Sequence, residues 1–569
     1  MAKPSLDHKS ERIDKVVEHM KERLSGDEAD LLERFIQLYY QRVTAEDVAE
    51  TSLENLYGAA LSLWKFGENR TPGQPKVRVF NPHIEEQGWK CSHTVVEVVG
   101  DDMPFMVDSL SSCLNRRGHK VFLNVHPVVR LRRTAKGRLS ELLTPASRAK
   151  DGIDESLMHI EIDTQTSAKV LRGIEQALYD VLADVRAAVE DWPTMLAKLD
   201  GTIKEIKKNP PPLDKDEVAE SIALLEWLAD DHFTLLGFRQ YEHKSAGGKT
   251  IHRAVEGSGL GVLRNPDTHV LADAKGLGEM SAEVRHFLGL PQLMMVSKAN
   301  VRSTVHRPVH MDFVGVKRLD KKGRLIGEWR FVGLFTSATY NQSPLSIPFL
   351  RRKIKRTVQL AGMRTSGHDG KALINVLETF PRDELFQVDE DYLADTAQGI
   401  VELQDRPRIR CFYRLDPFGR FASCLIYVPR ELHNTELRER FGETLAKAFA
   451  GEVSTFYTHI ADSPVARLHF IIRTRPTRRR EPDREDLERA LVEAARSWDD
   501  DLQEEIIERW GEERGNRLSQ RYERAFPAGY REAISAQEAV FDIEKMEALS
   551  PQRDMQINIY RPLEAHKGE

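Results

Sequence analysis

Between residues 91 and 190 the spacing of apolar residues switches from strand to helix and back, and that order restricts the segment to few folds. Thr94 to Val99 is a β-branched run. Met106, Leu110, Cys113 and Leu114 then fall at helical spacing, and Gly118 follows where such a helix would stop. Val121, Leu123, Val125, Val129 and Leu131 alternate, which buries one face of a strand. Pro127 inside that run marks an edge strand or a bulge. Met158, Ile160 and Ile162 alternate again, and Leu171, Ile174, Leu178, Val181, Leu182 and Val185 return to helical spacing. The resulting β-α-β-β-α order predicts a ferredoxin-like module, with helices on one face of a small antiparallel sheet.

At 569 residues the chain is too long for one core, and ordinary domain sizes predict about three to five modules. The fold class is α+β. Residues 1–75 read as helical, through Ile13, Val16, Val17, Met20 and Leu24 and again through Leu53, Leu56, Tyr57, Leu61 and Trp64, until TPGQP at 71–75 breaks the period. A first α+β module spans 76–206, and KKNPPP at 207–212 is the linker candidate. A strand-rich second module spans 213–345, with a hairpin around its Lys-Lys-Gly turn. A helical connector follows at 346–405. The third module, 406–475, has strands RIRCFYRLD and FASCLIYVPR around the turn Pro417-Phe418-Gly419, and 483–569 reads as charged helix.

Net charge of −6 and a pI near 6.4 argue against a nucleic-acid partner. The four cysteines, Cys91, Cys113, Cys411 and Cys424, have no zinc-type spacing and suggest a reducing compartment. The first residues lack the apolar core of a signal peptide, and no apolar run approaches the ~20 residues that span a bilayer, so a cytoplasmic protein with no membrane partner is expected.

Motifs that would carry chemistry are incomplete. GSGLG at 257–261 lacks the third glycine of a dinucleotide loop and reads as a turn, and no Walker-type loop, HExxH or Gly-x-Ser-x-Gly occurs. His306, His310 and Asp312 lie in a β-rich stretch, where the two histidines would stand ~13 Å apart, too far for one ion. RRKIKR at 351–356 reads as the solvated side of a helix whose buried stripe is Leu350, Ile354 and Val358. Arg473, Arg475, Arg478, Arg479 and Arg480 form a second basic cluster. The runs Asp383-Glu384, Asp389-Glu390-Asp391 and Asp499–Asp501 read as caps and solvated charge. No catalytic residue, no cofactor-binding residue and no metal ligand is assigned.

GDDMPFMVDSL, at 100–110, is the most pointed local feature. A strand ends in Asp101 and Asp102, and Met103, Pro104 and Phe105 lead into a helix. Asp102 suits an N-cap and Pro104 a first turn, which is the favoured reading. The alternative is a candidate effector turn, Asp101 to Phe105, whose helix amides would receive a carboxylate ligand.

DDMPFMVDSL, HPVVRLRR (126–133), ESLMHIEID (155–163) and LLEWLADDHFTLLGFRQYE (224–242) resemble the N-terminal part of the large bacterial NAD-specific glutamate dehydrogenases. So do KANVRSTVHRPVHMDFVGVKRLD (298–320), GKALINVLETFPRDELFQ (370–387) and RCFYRLDPFGRFASCLIYVPRE (410–431). The resemblance implies ACT-like regulatory modules at all three α+β positions, a dehydrogenase core as partner, and NAD as cofactor of the complete enzyme but not of this segment. It further implies oxidative deamination of glutamate by the complete enzyme, an amino-acid effector as a candidate ligand, and a homo-oligomer. The family's glycine-rich loop with its lysine has no match here, and the chain stops at IYRPLEAHKGE where the family continues toward its core, so truncation and an inactive segment are expected. A free-standing amino-acid-sensing adaptor is the alternative.

Overall fold

Four helices open the chain: α1 (Leu6–Lys21), α2 (Asp27–Tyr40), α3 (Ala45–Glu50) and α4 (Leu53–Gly67). The Thr44 and Ser52 hydroxyls cap α3 and α4 by accepting the amides of Asp47 and Asn55. In this computed structural model the described residues are 6–144, 146–246, 249–268, 270, 288–364, 366–461, 463–474, 480–550 and 554–557. They fall into two units, one of Met1–Gly362 with Leu377–Leu393, the other of Met363–Val376 with Ala394–Glu569.

In the first unit, β1 (Lys76–Phe80), β2 (Thr94–Asp101), β3 (Val121–Val125), β4 (Val128–Arg133), β5 (Leu139–Leu142) and β6 (Ile153–Ile162) form an antiparallel sheet. The order is β1-β2-β6-β4-β5, with β3 also on β6. Pro127 falls between β3 and β4, whose pairing with β6 keeps one register across the gap, from Val125 opposite His159 to Val128 opposite Ser156. The proline thus costs one ladder bond at a place where β3 stays an edge and β5 covers β4.

Val99 and Leu157 join the core of α1–α4, with Phe35, Ile36 and Leu63. Strand alternation turns Val96, Val98, Met158 and Ile160 to the opposite face, toward α6 (Met106–Arg116) and α7 (Ala168–Lys208), α5 being the single turn Ile84–Gln87 between β1 and β2. Helices therefore cover both faces, where the sequence predicted one. The uninterrupted burial of β2 from Thr94 to Gly100 follows from this.

At 41 residues α7 outruns one sheet. Its later turns reach a second sheet, where Asp191 accepts the Gly261 amide at 2.7 Å and the Arg264 guanidinium at 2.6 Å. That sheet contains β7 (Phe233–Ala246), β8 (Lys249–Ala254), β9 (Leu260–Gly261), β10 (Met294–Arg302), β11 (His310–Leu319) and β12 (Leu325–Phe335), ordered β10-β11-β12-β7-β8 with β9 on β7. The β11–β12 hairpin turns at the expected Lys-Lys-Gly. Residues 271–287, between β9 and β10, lie outside the described residues, so the described part of this module establishes its strands and their order.

The second unit has a four-stranded sheet of β13 (Arg410–Leu415), β14 (Phe421–Pro429), β15 (Glu452–His459) and β16 (Val465–Arg473), ordered β13-β14-β16-β15. Phe441, Leu445, Leu487 and Leu491 of two helices pack on Cys424, Ile426, Phe470 and Ile472. A separate cluster of Leu502, Ile506, Leu518, Val540 and Ile543 holds the following helices together.

Candidate functional site

The turn after β2 carries two aspartates with separate tasks. Asp101 accepts Arg70 at 2.6 Å, Arg186 at 2.8 Å and the Gly73 amide at 3.1 Å. Burial pushes its carboxyl up, but the hydrogen bonds from Arg186 and Arg70 outweigh that and hold it below the usual range. Arg70 continues to the fully buried Glu155 at 2.7 Å, and Arg133 grips the same carboxylate through two nitrogens at 2.6 and 2.7 Å. Arg133 also donates to the carbonyls of Gly67, Glu68 and Gly137. One chain of charge, Arg133–Glu155–Arg70–Asp101–Arg186, thus ties α4, the sheet and α7 together.

Asp102 accepts the Ser156 hydroxyl at 2.5 Å, and His126 Nε2 lies 2.9 Å from the same oxygen. The hydroxyl sits between acid and imidazole, so the hydroxyl hydrogen is turned to Asp102 and the imidazole N–H donates. In a nucleophile triad the imidazole stands in the middle, and this order gives Ser156 no base.

The expected N-cap is not at Asp102. The helix begins at Met106, Phe105 is its N-cap with φ of 71°, and no side chain caps it. Pro104 therefore precedes the helix instead of entering its first turn. Asp102 is drawn away by Ser156, and the chain reverses through the left-handed Phe105. That conformation costs a bulky residue about 1–2 kcal/mol. Its partner is the loop between β10 and β11, where His306, also left-handed with φ of 65°, sets its ring 5.1 Å from that of Phe105. The His306 amide donates to Ser109 Oγ at 2.9 Å, while Ser109 Oγ donates to the Phe105 carbonyl at 2.6 Å. His306 Nδ1 lies 3.1 Å from Asp108, and Thr304 donates to Asp184 at 2.7 Å. The second sheet's own loop thus seats on the start of α6, on the turn considered for an effector.

Other singled-out residues take separate partners. His310 Nδ1 is 3.0 Å from the Ala299 carbonyl, far in role from His306. Asp312 joins Lys298 at 2.6 Å, and Lys298 meets Asp383 at 3.0 Å, with the Tyr340 hydroxyl 3.1 Å from Asp383. Burial pushes the Asp312 carboxyl up to about 6, with Lys298 opposing and Asp383 adding. RRKIKR is not wholly solvated: Lys353 is buried and donates to the carbonyls of Leu385, Phe386 and Val388 at 2.8, 3.2 and 2.6 Å. Those carbonyls end a short helix, Arg382–Gln387, and a buried ammonium satisfies them. Arg351 and Arg352 pair with Glu220 and Glu217. Arg473 pairs with Glu452 at 2.6 Å, while Arg475, Arg478 and Arg479 lie outside the described residues. Asp389 and Asp500 accept amides at helix starts.

Sequence spacing missed one convergence. Cys91, His93 and Glu161 bring a sulfur, an imidazole nitrogen and a carboxylate oxygen within 4.8 Å of one another. Sixty-eight residues separate His93 from Glu161, and only the β2–β6 pairing joins them. The Cys-x-His pair was the available signal.

Family models for the glutamate dehydrogenase ACT1 domain, helical motif 1, ACT2 domain and helical motif 2 match residues 35–178, 347–406, 410–499 and 505–549. The chain is 39% identical over 548 residues to an NAD-specific glutamate dehydrogenase of Halomonas elongata, covering 96% of this chain and 34% of that protein. The chain belongs to the NAD-specific glutamate dehydrogenase family. It is 38% identical to the Pseudomonas aeruginosa protein of that name, over 93% of this chain and 32% of the relative, and 27% identical to the Mycobacterium tuberculosis one, over 84% and 29%. The chain spans about one third of the length of these glutamate dehydrogenases. The ACT1 match includes the Asp101–Phe105 turn, and the ACT2 match coincides with the third sheet, leaving 213–345 without an ACT match.

Proposed function

We propose that this chain is the regulatory and assembly segment of an NAD-dependent glutamate dehydrogenase. The complete enzyme would convert L-glutamate, NAD and water to 2-oxoglutarate, ammonia and NADH in the cytoplasm. The observation that carries this reading is the match of ACT and helical-motif models in order along a chain spanning a third of its relatives. Among the described residues no helix is long and apolar enough to cross a membrane, which supports the cytoplasmic assignment.

The segment's role is to bias a dehydrogenase core, its partner, through domain packing. NAD belongs to the complete enzyme. The GSGLG turn supports this, because the Gly261 amide is taken by Asp191 instead of facing a phosphate. Homo-oligomer formation is supported by the edge strand β15, which exposes Val453, Phe456 and Tyr457. An amino-acid effector at the ACT1 turn would have to displace the His306 loop, so binding there would couple the first sheet to the second. Two assays on the purified chain test the reading: NADH production with glutamate, and thermal shift with a panel of amino acids. No turnover above the no-protein control is expected. Glutamate-dependent turnover by this chain alone would overturn it.

A further inference from the structure

One cluster lies apart from the turn described above, at the end of β6 nearest the N-terminal helices. Glu161 lies opposite Val95, and His93 lies just before β2. His93 Nδ1 stands 2.7 Å from Glu161 Oε2, and the His93 amide donates to Cys91 Sγ at 3.3 Å. Two residues along β6, His159 points to the same side, with Nε2 3.5 Å from Glu161 Oε1. His159 is 1% exposed, and neither ring nitrogen makes a hydrogen bond. Tyr39 and Trp89 set their rings 6.0 Å from it. Its other polar neighbour, Glu97, is 3.9 Å away and already holds Arg78 and Ser62. The nearest acceptors of this buried imidazole are thus the Glu161 and Glu97 carboxylates at 3.5 and 3.9 Å, longer than an ordinary hydrogen bond, and a bound ion is one explanation of such a spacing.

We propose that Cys91, His93, His159 and Glu161 form a structural zinc site. One sulfur, two imidazole nitrogens and one carboxylate oxygen suit a borderline-soft ion with tetrahedral preference and do not suit magnesium or calcium. Zinc–ligand lengths near 2.0–2.3 Å place tetrahedral donors roughly 3.3–3.8 Å apart, so the Cys91, His93 and Glu161 donors, within 4.8 Å of one another, need only a small contraction, while His159, outside that set and 3.5 Å from Glu161, has to move in as the fourth. The charges balance: two neutral imidazoles, a carboxylate and a thiolate neutralise a divalent ion. A cysteine thiol is ordinarily protonated at neutral pH. Binding forms the S–Zn bond and breaks the S–H bond, releasing one proton to solvent for each ion bound. The second Glu161 oxygen and the His93 amide remain to orient the ligands. The site would pin the strand end beneath α2, where Tyr39 lies.

The test uses the full chain, stripped with a chelator and titrated with Zn²⁺ against a chromogenic competitor, and with Co²⁺ followed by absorption. One tightly bound ion per chain is expected, with a cobalt–thiolate charge-transfer band. Cys91→Ser should abolish that band and weaken zinc at least tenfold, and His93→Gln should weaken it at least tenfold, both with an unchanged circular dichroism spectrum. These positions are partly exposed, so the variants test the site even where the buried His159→Gln fails to fold. Absence of tight zinc binding in the wild type, or wild-type affinity in Cys91→Ser, overturns the site. Wild-type affinity in a folded His159→Gln overturns the fourth ligand.

Discussion

Glu155→Gln should loosen the first sheet more than any other single change at the turn. The carboxylate is fully buried and receives three hydrogen bonds, one from Arg70 and two from Arg133. The Arg70 and Arg133 side chains are themselves 0% and 2% exposed. A glutamine keeps the shape but presents an NH₂ to a guanidinium donor, leaving buried Arg70 only Asp101 as a charged partner and buried Arg133 only backbone carbonyls. Breaking such a buried pair costs about 3–5 kcal/mol. Asp101, with its side chain 28% exposed and water able to replace part of its role, should cost about 1–2 kcal/mol as Asp101→Asn. Hydrogen exchange of the β2 and β6 amides measures this without assuming two-state unfolding of a multi-unit chain. The expected acceleration in Glu155→Gln is about two to nearly four orders of magnitude, since about 1.4 kcal/mol is a factor of ten. Acceleration below tenfold, or an equal effect from Asp101→Asn, would refute the reasoning that the network is anchored at Glu155.

Asp102→Ala strips the acceptor from the buried Ser156 hydroxyl and should cost about 1–3 kcal/mol in the same exchange assay, while leaving amino-acid responses unchanged. Amino-acid stabilisation lost in that variant would instead restore the effector reading of the turn. The Asp312 carboxyl, raised to about 6, binds a proton in the native state that the unfolded chain has released. Stability should therefore fall as pH rises from about 4 to 6, by at most about 1.4 kcal/mol per pH unit, and Asp312→Asn should flatten that slope in urea titrations. Gly261→Ala should destabilise the second sheet, because φ is 60° and a Cβ would stand 2.1 Å from the Leu236 carbonyl oxygen. A wild-type melting curve for that variant would contradict the geometry.

The alternating runs at 94–99, 121–131 and 158–162 made the first sheet readable, since period-two burial is local information. The β13–β14 hairpin was readable for the same reason, its turn marked by Pro417-Phe418-Gly419. What joins Arg70 to Glu155, or Cys91 to Glu161, is strand pairing across 70 to 85 residues, and no local pattern encodes it. Asp102 shows the same limit from the other side: its sequence context is that of a cap, yet a distant serine claims its carboxylate. The charge of Lys353 predicts a solvated position, and three carbonyls at the end of a neighbouring helix override that tendency.

On the proposed reading, this chain acts on the dehydrogenase core of the complete enzyme. The direct measurement is glutamate-dependent NADH production by the Halomonas elongata enzyme lacking its matching third, assayed with and without this chain added in trans. The chain is expected to co-elute with that core and to change the glutamate dependence of its rate. A core that neither binds the chain nor alters its kinetics when the chain is added would contradict it.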